Sequence, residues 1–292
     1  MNISLIFAII SPFIWAFMNI VDKYVVAHRV KRPLGFAVYA TWMSLLIGVM
    51  IALFIKWDGL NLKEFVYPMI TGIVGGIYFF VYYFVMQRED ASNMVGLVYS
   101  YPIIVALLSF FILRENIGLI GYFGMACILV GVLMLSIRMK KIKIKVAIWL
   151  ILLLIFMAAF YEFSIKMVTD NLPVWNGFVV ASITNGLIGS LFLFNNKIRK
   201  DFFYELKNFK WAFLTEVFTF LSAITVFLAM VGLPATIVSS IAAIQPLAVL
   251  FYERIAHSIF GKMSRDNLLL PKLGSIILIV MGVIILSFVG IG

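Results

Sequence analysis

Ten apolar runs follow one another along the chain, near 3–22, 34–55, 66–86, 91–113, 118–137, 146–168, 174–194, 211–231, 234–252 and 273–290, with polar and charged residues gathered between them. A hydrocarbon core about 30 Å thick needs roughly 20 apolar residues per helix, so each run predicts one transmembrane helix. The runs are continuous and rich in Leu, Ile, Val and Phe. A membrane β-barrel would instead show segments of about ten residues with alternating polarity. The pattern therefore predicts an all-α polytopic membrane protein with ten transmembrane helices, and no stretch is left over for a soluble domain. No positive segment precedes the first run and no small-residue cleavage site follows it; it ends at Asp22-Lys23 and is expected to stay as a helix.

Composition agrees. Hydrophobic residues make up 64% of the 292 and charged residues 12%, with mean hydropathy +1.11, against roughly 45–50% apolar content in soluble domains. The net charge of +10 would suggest nucleic acid in a soluble protein, but its distribution points to lipid. Of the 23 Lys and Arg, nineteen lie in odd-numbered connections and only Lys56, Lys63 and Arg114 in even ones. By the positive-inside rule the odd connections face the cytoplasm, which places both termini outside. The single Cys127 excludes an intramolecular disulfide.

The runs also repeat. AFMNIVDK (16–23) aligns with AFYEFSIK (159–166) at an offset of 143, and GFAV (35–38) with GFVV (177–180) at 142. MQREDAS (86–92) meets MVGLPAT (230–236), and Pro102 meets Pro246, at 144; GMACILVGVLMLS (124–136) meets SIILIVMGVIILS (275–287) at 151. Four concordant offsets in chain order predict two five-helix repeats, residues 1–140 and 141–292. Five is odd, so the second copy enters the membrane from the opposite side. Inverted repeats of this kind characterise secondary transporters, with the binding site near the midplane between the halves.

Ten helices in two copies, Pro102 in the fourth run, Glu115 thirteen residues later, and a GxxxxxxG pattern at Gly124 and Gly131 resemble the EamA-type branch of the drug/metabolite transporter superfamily. In the second copy Pro246 is kept, but Ile259 stands where the glutamate would fall. The resemblance implies transport of small metabolites or drugs through a central cavity in a cell membrane, most simply a prokaryotic plasma membrane. It also implies termini in the cytoplasm, opposite to the charge count.

Ionisable groups inside a bilayer are costly and usually face the bundle interior or a wet cavity. Glu162 and Lys166 lie one helical turn apart on one face and are expected to bind charged substrate groups, with Asn19 and Lys23 at equivalent places in the first copy. A carboxylate near Phe213, Phe218 and Phe220 loses the solvation that favours its charged form, which makes Glu216 the proton-coupling candidate. Pro102 and Pro246 each remove a backbone bond inside a helix, and freed backbone in a membrane is tolerated where it lines a cavity. These breaks make Tyr101 and Gln245 candidate hydrogen-bonding residues. Trp15, Tyr78 and Tyr82 would suit an amine through cation–π attraction if they converge with a carboxylate. Gly72, Gly75 and Gly76, and Gly121, Gly124 and Gly131, read as close helix packing, within the chain or between two copies.

No catalytic constellation, P-loop or metal cluster is visible, so the chain is expected to be no enzyme and to need no metal or cofactor. The expected partners are a small-molecule substrate and the lipid bilayer, not nucleic acid, with the protein a monomer or homodimer. The reading is a secondary transporter moving a small organic metabolite, an amino acid, amine or related solute, by alternating access with possible proton coupling. The alternative is a non-transporting or lipid-carrier-flipping membrane subunit.

Overall fold

The computed structural model describes residues 3–57, 61–88, 98–138, 148–260 and 273–289. Among these residues all regular structure is helical. Six stretches are long and apolar enough to cross a membrane. They are built on α1 (Ile3–His28), α2 (Pro33–Ala52), α3 (Val66–Met86), α6 (Ile148–Asn171), α7 (Val174–Leu191) and α9 (Phe209–Gly232), the places of the first, second, third, sixth, seventh and eighth runs. The other four runs hold shorter apolar helices. The fourth holds α4 (Pro102–Leu108), extended by a π turn to Leu113, and the fifth holds α5 (Gly118–Arg138). The ninth divides into α10 (Ala235–Ala242) and α11 (Gln245–Phe260), and the tenth is α12 (Leu273–Val289). One helix was not expected: α8 (Asn196–Glu205) lies in the seventh connection.

The outer surface is apolar. Leu53, Phe54, Leu119, Phe194 and Phe288 are each more than 70% exposed, whereas Asp22, Ser222, Thr71 and Ser164 are fully or almost fully buried. Apolar groups outside and polar groups inside is the arrangement lipid requires, since every polar group in hydrocarbon must find an internal partner. The protein is a multi-pass membrane protein.

Helix pairs recur in kind. α1 packs on α9 as α6 packs on α3; α1 packs on α11 as α6 packs on α4; α3 packs on α7 as α9 packs on α2. α2 meets α7, and α5 meets α12. Each pair maps onto another, or onto itself, when first-half runs are exchanged for their second-half counterparts. The α5–α12 seam shows the same relation at atomic scale. A Cβ on Gly131 would come within 2.8 Å of the Ser275 carbonyl oxygen, and one on Gly282 within 2.5 Å of the Gly124 carbonyl oxygen. The offset of 151 pairs Gly124 with Ser275 and Gly131 with Gly282. On α3, a Cβ on Gly72 would meet the Ala181 carbonyl and one on Gly76 would meet Ile188 of α7. These glycines therefore pack against helices of their own chain.

Polar contacts tie the connections. Glu205 on α8 accepts the amides of Lys31 and Arg32, both at 2.9 Å, just before α2, and Arg32 pairs with Asp201. The Gln87 amide donates to the Val30 carbonyl at 3.2 Å. The first, third and seventh connections thus share one face. On the other face the Asn176 amide donates to the Lys56 carbonyl at 2.8 Å, and Glu115 accepts the amides of Ala235 and Thr236 at 2.9 and 3.3 Å. Those two amides have no partner within α10, so the motif glutamate of the first half caps a helix of the second. The basic residues at 140–145 and 262–272 lie outside the described residues.

Candidate substrate cavity

A cavity of about 120 Å³ lies between the halves, lined from α1, α2, α3, residues 98–101, α6, α7, α9, and the facing ends of α10 and α11 at Ala242 and Gln245. Two helix breaks meet at it. Residues 99–101 form a turn before Pro102 opens α4, and residues 243–244 form a turn before α11, whose second residue is Pro246. Proline lacks the N–H that would continue the ladder, so each helix restarts there. The restart leaves side chains rather than a closed helical wall facing inward: the Tyr99 hydroxyl donates to the Gln245 side chain across the two breaks.

Trp15, Asn19, Tyr78, Tyr82, Tyr101, Glu162, Glu216 and Gln245 all line this space. The Tyr101 hydroxyl donates to Glu162 Oε1 at 2.5 Å, while Glu162 Oε2 is buried with no hydrogen-bond partner. The Tyr82 hydroxyl lies 2.9 Å from Asn19 Oδ1 and 3.0 Å from Asp22 Oδ2. Tyr78 stacks on Tyr82 with centroids 5.7 Å apart, and Tyr99 meets Tyr101 edge-on at 5.3 Å. The carboxylate with a spare oxygen is therefore ringed by aromatic faces and hydroxyls. Pro102 and Pro246 are not themselves in the lining; they shape it through the turns before them.

Lys166 is a correction. It does not line the cavity: its ammonium donates to the Met230 carbonyl at 3.1 Å and to Asp170 at 2.6 Å. Lys23 donates to the Met86 carbonyl at 2.9 Å. Met86 and Met230 are the equivalent ends of α3 and α9, so each lysine of the repeat reaches the carbonyl end of a neighbouring helix, where a cation is favoured. At i and i+4, Glu162 and Lys166 share a helix face, but the cavity wall ends between them.

Glu216 is 2% exposed, a carboxyl group fully inside the bundle. Of the three phenylalanines expected around it, only Phe220 shares the cavity; Phe213 is 54% exposed, and Phe218 packs on Phe17 with centroids 5.0 Å apart. Three polar residues were missed. Asn185 of α7 lines the cavity, and its Oδ1 is buried without a partner; an amide in the middle of the seventh run was the available signal. Asp22 was read as the end of the first run, yet it is fully buried behind Tyr82. Its spacing of three from Asn19 was the clue. Tyr83 joins Asp22 to Glu216, with its hydroxyl 3.3 Å from the first and 3.5 Å from the second.

A polytopic helical bundle whose polar side chains converge on a central, partly aromatic cavity is the build of a solute transporter. Residues 2–137 match the EamA-like transporter family, so the first half of the chain is similar to EamA-like transporters. No curated protein matches the chain. A crystal structure described only as that of a protein is similar in fold over 98% of this chain and 97% of its own, with a TM-score of 0.65 at 12% identity.

Proposed function

We propose that the protein is a secondary transporter that carries a small amine-bearing organic solute, such as an amine or amino acid, by alternating access. The observation that carries this reading is the unpartnered Glu162 Oε2 in a cavity walled by Trp15, Tyr78, Tyr99 and Tyr101. A buried carboxylate oxygen without a partner is costly, and an ammonium group would satisfy it while aromatic faces attract the same charge. With Lys166 turned away, no lysine or arginine among the described residues lines the cavity to neutralise it. The size of the cavity supports a small solute over a lipid-linked carrier, because about 150 Å³ holds one benzene-sized molecule.

Alternating access is supported by the exchange of equivalent helix contacts and by the repeated lysine bonds to Met86 and Met230. Both are what two inverted five-helix repeats, 1–140 and 141–292, would produce. In this reading Asn19, Tyr82 and Gln245 orient the solute, and Glu216 is the proton-coupling group. The basic connections lie on the cytoplasmic face and the termini outside.

The test is a thermal-shift screen of amines, quaternary ammonium compounds, amino acids and neutral analogues against purified protein, followed by uptake of the best ligand into proteoliposomes. A ligand that binds only the folded state raises its apparent stability. Amine-bearing ligands are expected to stabilise the protein, and Glu162→Gln, which keeps an acceptor for Tyr101, is expected to abolish that effect. Equal stabilisation of wild type and Glu162→Gln would remove Glu162 from the site, and a preference for anions would overturn the substrate class.

A further inference from the structure

Asp22 on α1 and Glu216 on α9 are 0% and 2% exposed, and among the described residues neither is ion-paired with a basic side chain. What joins them is one hydroxyl. Tyr83 of α3 lies 3.3 Å from Asp22 Oδ1 and 3.5 Å from Glu216 Oε1, and the other Asp22 oxygen faces Tyr82 at 3.0 Å. Among the described residues the surrounding elements add no cation paired with either carboxylate. α1 contributes Asn19 and, one residue after Asp22, Lys23, whose ammonium reaches the Met86 carbonyl. α2 presents Phe36, edge-on to Tyr83 at 5.2 Å. α3 adds Tyr78 within electrostatic reach of Asp22, α6 adds Tyr161 within reach of Glu216, α9 sets Thr215 beside Tyr83, and α11 places Tyr252 against Phe17.

Counting protons decides the state of this group. A tyrosine hydroxyl donates one hydrogen bond and can accept another. With both carboxylates ionised, Tyr83 can serve only one of them, and two like charges share a dry site. With one proton between them the chain closes. Protonated Glu216 donates to the Tyr83 oxygen while Tyr83 donates to Asp22; the reverse arrangement has protonated Asp22 donating to Tyr83 and Tyr83 to Glu216. One arrangement becomes the other when two protons shift together along the two O–H···O contacts. One O–H bond breaks and one forms on Tyr83, so it stays neutral, and the net result is one proton moved from one carboxyl to the other.

We propose that Asp22, Tyr83 and Glu216 form a proton relay that holds one shared proton and passes it between the cavity, which Glu216 lines, and Asp22, which lies behind Tyr82 toward the face of the basic connections. The relay deepens the transport reading and rests on it for its use, but its chemistry can be tested with no solute present.

The experiment is infrared spectroscopy of purified protein at neutral pH, reading the C=O stretch of protonated carboxyl groups as difference spectra between wild type and variants. A shared proton predicts that Asp22→Asn and Glu216→Gln each remove the same band, because either change leaves a single carboxylate served by Tyr83. In a Tyr83→Phe background the sharing is broken, and only one of the two substitutions should remove a band. Tyr82→Phe keeps the Tyr83 bridge, so in that background Asp22→Asn and Glu216→Gln should still remove one and the same band, with folding of every variant checked by its elution as a single species. A band that survives one single substitution with Tyr83 intact, the absence of any band removed by either, or identical behaviour of Tyr82→Phe and Tyr83→Phe would overturn the relay. If the shared band is present but no solute is bound or transported, only the transport reading fails.

Discussion

Replacing Lys166 by methionine separates a helix-capping lysine from a substrate-binding one, since methionine keeps much of the stem and removes the ammonium. In the folded protein that ammonium donates to the Met230 carbonyl at 3.1 Å, at the C-terminal end of α9, from a side chain only 12% exposed. A hydrogen bond from a charged donor contributes about 1.5–3 kcal/mol, and the negative helix end adds about 0.3–1 kcal/mol. The contact to Asp170, a partner 42% exposed, is a helix-surface pair of about 0.3–0.5 kcal/mol. Packing by the new thioether offsets part of the loss, so Lys166→Met is expected to cost about 2 kcal/mol. At about 2–4 °C per kcal/mol for a chain of this size, the apparent melting temperature in detergent should fall by roughly 4–8 °C. Lys23→Met should fall by a similar amount, because Lys23 makes the equivalent bond to Met86 at 2.9 Å, and Asp170→Asn should change little. Stabilisation by a bound amine should survive all three substitutions. If Lys166→Met melts like wild type but is no longer stabilised by ligand, Lys166 belongs at the solute and the capping argument is wrong.

Glu115→Ala removes the carboxylate that accepts the Ala235 and Thr236 amides; a loss of about 1–2 kcal/mol is expected, read as a lower melting temperature, with Glu115→Gln in between. Gly282→Val forces atoms toward the Gly124 carbonyl and Ile128, an overpacking cost of about 1–3 kcal/mol. Gly131→Val, at the equivalent position, should cost as much, and normal thermal stability of both would remove the tight α5–α12 seam. A reporter active only in the cytoplasm, fused to the C-terminus, should be silent if the basic connections face inward; activity would reverse the orientation.

The helical class was legible because a bilayer demands long apolar stretches, and such stretches need no tertiary partner to be recognised. The repeat was proposed from positions that carry similar residues, Lys23 with Lys166 and Pro102 with Pro246. Depth was read less well. Asp22 looked like an interfacial end because it adjoins Lys23, yet the side chains point to different surroundings, one to Tyr82 and Tyr83 and the other to the Met86 carbonyl. The α8 helix was missed because its ten residues are mostly charged and aromatic, and it is held by Glu205 and Asp201 docking on the connection before α2.

Local pattern alone therefore established an all-helical membrane protein and singled out most of the side chains that line the central cavity, since hydrophobic period and proline punctuation are properties of neighbouring residues. Which of two residues one turn apart faces the cavity was decided by the partner helix. Glu162 meets Tyr101 and open space, while Lys166 meets the end of α9, and no spacing along α6 encodes where α9 stops. The same holds for Tyr83, which became a bridge only because packing of α1 against α9 brought Asp22 and Glu216 to its two sides.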